Sequence, residues 1–93
     1  MVTREEVDAA RALWEQLKIG HALALANWGL MEENHATIIN SLVALGFGHA
    51  RAQDEFMKYR EGHRQEVSNY FLEMDKREKE FSELDNAFRL RRQ

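Results

Sequence analysis

The sequence predicts an all-α protein, built as a long antiparallel helical hairpin that dimerises into a four-helix-type bundle. The chain contains no proline, and apolar residues recur every three or four positions through both of its halves. Only Gly46-Phe47-Gly48 places two glycines close together, which is typical of a turn. Strands are not indicated, because the chain has neither an alternating β-branched run nor an Asn-Gly or Asp-Gly pair.

The first half of the chain predicts one helix over about residues 3–46. Thr3 can cap its first amides, and Glu6, three residues later, completes a capping box. The apolar seam then advances by threes and fours without a slip, through Val7, Ala10, Trp14, Leu17, His21, Ala24, Trp28, Met31, His35, Ile38, Leu42 and Leu45. The alternative is a split into two helices at residues 19–21, because Gly20 costs about 1 kcal/mol relative to alanine inside a helix.

The second half predicts a turn at 46–49 and a second helix over about residues 49–92. Its seam is Phe56, Arg60, His63, Val67, Tyr70, Met74, Arg77, Phe81, Leu84 and Phe88. Folding about Phe47 pairs Trp14 with Phe81 and Trp28 with Val67, whereas folding about His49 shifts every pair by three residues. The sequence does not choose between these registers. We expect residues 1–93 to form a single helical domain.

Composition restricts the classes of function. A net charge of −3 and a sequence pI near 5.8 disfavour non-specific attraction to nucleic acid or to an anionic membrane. Without cysteine there is no disulfide, and histidines and carboxylates are the remaining metal ligands. The chain opens on no signal-peptide pattern, and its apolar runs are far too short to span a membrane. We therefore expect a cytoplasmic protein.

The segment between Ala22 and Phe47 carries more apolar surface than one hairpin buries. Its only charged residues are Glu32 and Glu33. A helix that is apolar nearly all round is buried on several sides, and the simplest partner is a second copy of the chain. A different protein is the alternative partner. We expect the interface to contain Leu23, Leu25, Trp28, Leu30, Ile39, Leu42 and Val43.

A polar cluster interrupts the apolar seam. Glu32-x-x-His35 places a carboxylate and an imidazole one turn apart, and either register brings His63 close to them, with Arg60 and Glu66 beside it. We interpret the cluster as a polar layer that fixes the register and the oligomeric state. The alternative is a zinc or iron site. It departs from the di-iron bundle pattern, because His63-x-x-Glu66 is in reverse order and no further inward-facing glutamates are evident.

The motifs of the common enzyme classes are missing, including a Ser/His/Asp arrangement, a phosphate loop and a dinucleotide fingerprint. We expect a non-enzymatic interaction or adaptor protein without a cofactor, acting as a homo-oligomeric bundle that binds another protein. A metal-binding bundle is the alternative. A second alternative is nucleic-acid binding through Arg89, Arg91 and Arg92, which is disfavoured because the acidic residues just upstream repel phosphate. Their positive charge also suits the C-terminal end of a helix.

Overall fold

The computed structural model describes the backbone of residues 1–92 and the side chains through Leu90. Over these residues it is all-helical, which confirms the predicted all-α class. It contains α1 (Arg4–Glu33), α2 (His35–Ala44) and α3 (His49–Arg92). The single helix predicted over about residues 3–46 is therefore wrong, because the first half of the described chain is divided into two helices at Asn34.

Helix α1 begins where the capping residues place it. The hydroxyl oxygen of Thr3 accepts a hydrogen bond from the amide of Glu6 at 3.2 Å, and the Thr3 carbonyl accepts from the amide of Val7 at 3.2 Å. Two amides of the first turn thereby gain partners. Glu5 and Glu6 add negative charge at the positive end of the helix dipole.

The alternative split at residues 19–21 is wrong, because α1 continues through Gly20 as one helix. A Cβ atom placed on Gly20 would lie 2.5 Å from Cε1 of Tyr70. The glycine therefore leaves room for the Tyr70 ring. Gly20 lowers the helix propensity of α1, but it allows α1 and α3 to pack closely at this point.

The break at Asn34 has a local cause in its side chain. Asn34 Nδ2 donates to the carbonyl of Leu30 at 2.7 Å, and that carbonyl also accepts from the Asn34 amide at 3.0 Å. Asn34 leaves helical geometry, with φ −100° and ψ 15°. Short amide side chains that bond the backbone compete with the regular helical pattern, and this competition ends α1 one residue earlier.

The chain reverses after α2 through a glycine cap. The amide of Phe47 donates to the carbonyl of Leu42 at 3.2 Å, and the amide of Gly46 donates to the carbonyl of Val43 at 3.0 Å. This pair of bonds is a Schellman motif, whose central residue needs a positive φ. Gly46 supplies it with φ 102°.

The described residues form two compact units. Unit 1 contains Met1–Ala22 and the chain from Asn69 onward, and unit 2 contains Leu23–Ser68. The single domain expected from the sequence stays a prediction.

In unit 1, α1 and α3 lie antiparallel. Trp14 stacks on Phe81 with ring centroids 5.5 Å apart, which is the pair expected from a turn at Phe47. Further along α1, His21 lies 5.9 Å from Phe71 between ring centroids. Val7 is the fully buried apolar residue of this unit among the described side chains.

In unit 2, a small core forms between α1, α2 and α3. Its buried members are Met31, Ile39, Ala52 and Phe56, and its half-buried neighbours are Trp28, Ile38 and Leu42. All these side chains are apolar, and among the described residues no polar or charged side chain is fully buried. The core of unit 2 is therefore held by apolar packing.

Candidate interaction surface

An uncharged, exposed side of α1 is the most distinctive surface of unit 2. We call it the α1 outer face and define it by Leu23, Leu25, Ala26, Gly29 and Leu30. Leu23 is 61% exposed, Leu25 47% and Leu30 57%. No charged residue lies between Lys18 and Glu32 in the sequence. Water therefore meets large apolar side chains here without a charge among them.

Helical spacing explains why these residues lie outside. Leu23, Ala26 and Leu30 follow one another by three and four positions, so they share one side of α1. The opposite side carries Ala24 and Met31, which are 4% and 5% exposed. The second apolar side of the helix therefore has no cover within this unit.

The residues expected in an interface fall into three groups. Leu23, Leu25, Leu30 and Val43 are exposed. Trp28 and Leu42 are half-buried against the core, whereas Ile39 is 5% exposed and belongs to that core. Ile39 therefore stabilises the fold of its own chain. The sequence did not separate it from Val43, because both are apolar residues off the main seam.

Gly29 has no explanation within the chain. A Cβ atom placed on it would have no neighbour within 4 Å, in contrast to the crowded position of Gly20. A glycine inside a helix costs about 1 kcal/mol relative to alanine. Gly29 thus opens a shallow hollow on the α1 outer face that this chain does not fill.

The expected polar layer is reduced to one ion pair in the structure. Arg60 Nε donates to Glu32 Oε1 at 2.6 Å, and both side chains are more than a third exposed. The Arg60 guanidinium also lies over the Trp28 ring, 5.1 Å from its centroid. The ion pair links α1 to α3, and the guanidinium of Arg60 makes a cation–π contact with Trp28 at the edge of the core.

Neither histidine of the expected layer joins this ion pair. His35 is exposed and stacks on Phe56, with ring centroids 4.1 Å apart and planes at 6°. His63 Nδ1 lies 3.1 Å from the carbonyl oxygen of Tyr59. Glu66 is exposed and forms no ion pair with the other described residues. Each imidazole therefore has an aromatic or backbone neighbour of its own.

The metal alternative has no preformed ligand set in the described part of the chain. No three of its histidines, aspartates and glutamates lie together in a group that could hold a metal ion. The two expected histidine ligands contact different neighbours, and Glu32 is engaged by Arg60. Glu32, His35 and His63 therefore do not form a common ligand set in the structure.

A shallow apolar groove runs along one side of unit 2. Ile38, Leu42, Phe56 and Tyr59 line a hollow of about 440 Å³, with Glu55 at its edge. An adjoining hollow of about 360 Å³ shares two of these residues, and its lining is Asn27, Leu30, Met31, Asn34, Ile38, Tyr59 and His63. Sequence reasoning missed this groove. The one available signal was an aromatic residue, Tyr59, among charged neighbours.

The basic end of α3 is partly neutralised. Arg89 Nε lies 3.1 Å from Asp85 Oδ2. The side chains of Arg91 and Arg92, which complete the expected nucleic-acid contact, lie outside the described residues. The one described arginine of that set is therefore paired with a carboxylate.

The exposed side of α3 differs from the α1 outer face because it carries ion pairs. Arg64 Nε donates to Glu61 Oε2 at 2.9 Å, and Lys79 Nζ lies 3.1 Å from Asp75 Oδ2. The hydrogen bond from Arg64, with a further one from Gln65, lowers the pKa of Glu61 from 4.5 to about 2. These paired charges on α3 contrast with the uncharged α1 outer face.

In comparisons with known proteins, no protein family, curated protein or solved structure matches the chain. None of the described helices is long and apolar enough to cross a membrane. The class that the described residues define is an all-helical protein with an exposed apolar helix face.

Proposed function

We propose that the protein is a non-enzymatic helical interaction protein that acts as a homodimer through its α1 outer face. The observation that carries this proposal is the exposure of Leu23 and Leu30 on a helix side without charge. Fully burying a leucine side chain contributes about 1.5–3 kcal/mol. Contiguous apolar patches on a protein surface mark interaction sites.

A second copy is the partner whose chemistry matches this surface. An uncharged helix face needs an uncharged opposing face, and two-fold symmetry provides the same face on both sides of the contact. The ion-paired side of α3 stays in water in such a dimer. Two chains associated in this way form a four-helix-type bundle.

We also propose that this dimer binds another protein. Support for it comes from the groove lined by Ile38, Leu42, Phe56 and Tyr59, which is open and mainly apolar. Apolar grooves of this kind accept amphipathic helices in other proteins.

The test compares two aspartate variants by sedimentation equilibrium. Leu30→Asp places a charge on the α1 outer face, where 57% exposure lets the isolated chain tolerate it. Leu72→Asp is the matched control, because Leu72 is 65% exposed in α3. We expect Leu30→Asp to be monomeric, since a buried unpaired charge costs several kcal/mol, and Leu72→Asp to dimerise like the unsubstituted protein.

Two results would contradict the proposal. One is an unsubstituted protein that stays monomeric across the accessible concentration range. The other is a Leu30→Asp variant with an unchanged dimer dissociation constant. Circular dichroism of both variants checks that helix content is retained.

A further inference from the structure

We infer that the two α1 helices of the dimer pack antiparallel, with the two-fold axis at Ala26. The inference rests on the proposed homodimer and specifies its geometry. Three features of α1 share this centre: the apolar spacing, the placement of glycine and the placement of unpaired charge.

The apolar spacing is the first feature. Leu23 lies three positions before Ala26 and Leu30 lies four positions after it. An antiparallel pair therefore sets each Ala26 against its own copy, and it sets Leu23 within one residue of the partner's Leu30. Because alanine is small, the two helices approach closely at the axis, and the leucines interdigitate on either side.

Gly29 is the second feature. It lies three positions after Ala26, so the antiparallel arrangement puts the partner's Leu23 over it. The absence of any atom within 4 Å of a Cβ at this position leaves the space that the leucine would occupy. The dimer thus supplies a reason for a mid-helix glycine that the single chain does not explain.

Charge at the two ends of the uncharged stretch is the third feature. Glu33 closes α1, where the helix dipole is negative and the last turn holds no basic residue. It forms no ion pair with the other described residues, and neither does Lys18, whose ammonium lies 3.9 Å from the centroid of the Trp14 ring.

These charges distinguish the two possible directions. Glu33 follows Leu30 by three positions and so continues the same side of α1. A parallel dimer sets this carboxylate against its own copy, and like charges repel. The antiparallel dimer sets it near the partner's Lys18, since Lys18 lies eight positions before Ala26 and Glu33 seven positions after it.

Single-cysteine variants of the full chain test the direction, since the native chain contains no cysteine. We expect Ala26→Cys to form an intermolecular disulfide in a glutathione redox buffer. Leu23→Cys and Leu30→Cys should each stay unlinked alone but should link when mixed. In the antiparallel dimer two copies of residue 23 are offset by about 9 Å along the axis, beyond the reach of a disulfide.

The outcomes separate this inference from the proposed homodimer. Self-linking of Leu23→Cys and of Leu30→Cys, with no linkage between them, means a parallel dimer and overturns the inference while the homodimer stands. A dimer in which none of the variants links places the contact elsewhere and also overturns it. If the unsubstituted protein is monomeric by sedimentation equilibrium, both the homodimer and its antiparallel geometry are wrong.

A pair of glycine variants provides an independent measurement. Gly29→Ala should weaken dimerisation about tenfold, because the added methyl group fills the space for the partner's Leu23. Gly62→Ala is the matched control, since a Cβ there also meets nothing within 4 Å and Gly62 lies inside α3. Equal dimer dissociation constants for the two variants would contradict the placement of Gly29 at the contact.

Discussion

Three glycines of this chain differ in what surrounds them, and the difference has measurable consequences. Gly46 adopts a positive φ that other residues rarely adopt. Gly20 gives space to an aromatic ring, and Gly29 faces empty space. Gly20 and Gly29 have the same cost in helix propensity, but only Gly20 is in close contact with another side chain. Substitution by alanine therefore tests what each glycine does.

Gly20→Ala should destabilise the protein relative to Gly62→Ala. Both changes gain about 1 kcal/mol of helix propensity, so the difference between them isolates the clash with Tyr70. Overpacking of this kind costs about 1–3 kcal/mol. Urea unfolding of the two variants measures the difference.

The cause of that difference is checked in a second background. When Tyr70 is also changed to alanine, the penalty of Gly20→Ala should vanish, because the ring that the new Cβ meets is gone. Equal stabilities of Gly20→Ala and Gly62→Ala in the native background would show that the Tyr70 ring yields without cost.

At the scale of elements, α3 pairs many of its charges inside the helix. Arg77 bridges two carboxylates, with Nε 3.1 Å from Glu73 Oε1 and Nη1 2.9 Å from Glu80 Oε2. Pairs three or four residues apart each contribute only a few tenths of a kcal/mol, and salt screens them. The charges of α3 therefore have partners within the helix, whereas the α1 outer face carries no charge.

The pKa of Glu61 reports on one such pair. An NMR titration should give a value of about 2, and Arg64→Ala should move it back toward 4.5, because the strongest hydrogen bond to the carboxylate is lost. Since the folded-state pKa is lowered, the pair stabilises the fold above about pH 4.5 and the stabilisation is lost as the pH falls toward 2. A Glu61 pKa that is the same with and without Arg64 would contradict this cause.

Much of the helical fold follows from local sequence signals. Thr3 with Glu6 predicts the start of α1, and Gly46 predicts the reversal, because capping and a positive φ are properties of a few adjacent residues. The unbroken apolar spacing also predicted the continuity of α1 through Gly20. The approach of the Tyr70 ring to Gly20 was not predictable, since these two residues lie far apart along the chain. The break at Asn34 was missed because an unbroken apolar spacing concealed a local side-chain bond.

The candidate surface was predictable in part, because the absence of charge is also a local property of the sequence. The uncharged run identified Leu23, Leu25 and Leu30 as surplus apolar residues, and they are exposed. The seam placed His35 inside, whereas the structure exposes His35 and buries Ile39, and both residues follow the non-helical Asn34.

At the scale of the whole molecule, the described chain buries few side chains completely: Val7, Ala24, Met31, Ile39, Ala52 and Phe56. Two of these are alanines, which bury little apolar area each. Small domains have marginal stability even when compact, because they bury only about 60–70% of their unfolded surface. The protein should therefore draw part of its stability from association.

This dependence predicts that the melting temperature rises with protein concentration. Dimerisation linked to folding stabilises the native state by mass action, since only the folded chain offers the α1 outer face. Calorimetric scans of the unsubstituted protein over a hundredfold range of concentration should show the rise. Leu30→Asp should melt lower and at a constant temperature, whereas Leu72→Asp should keep the dependence. A melting temperature of the unsubstituted protein that is independent of concentration would mean that the intrachain core alone supports the fold.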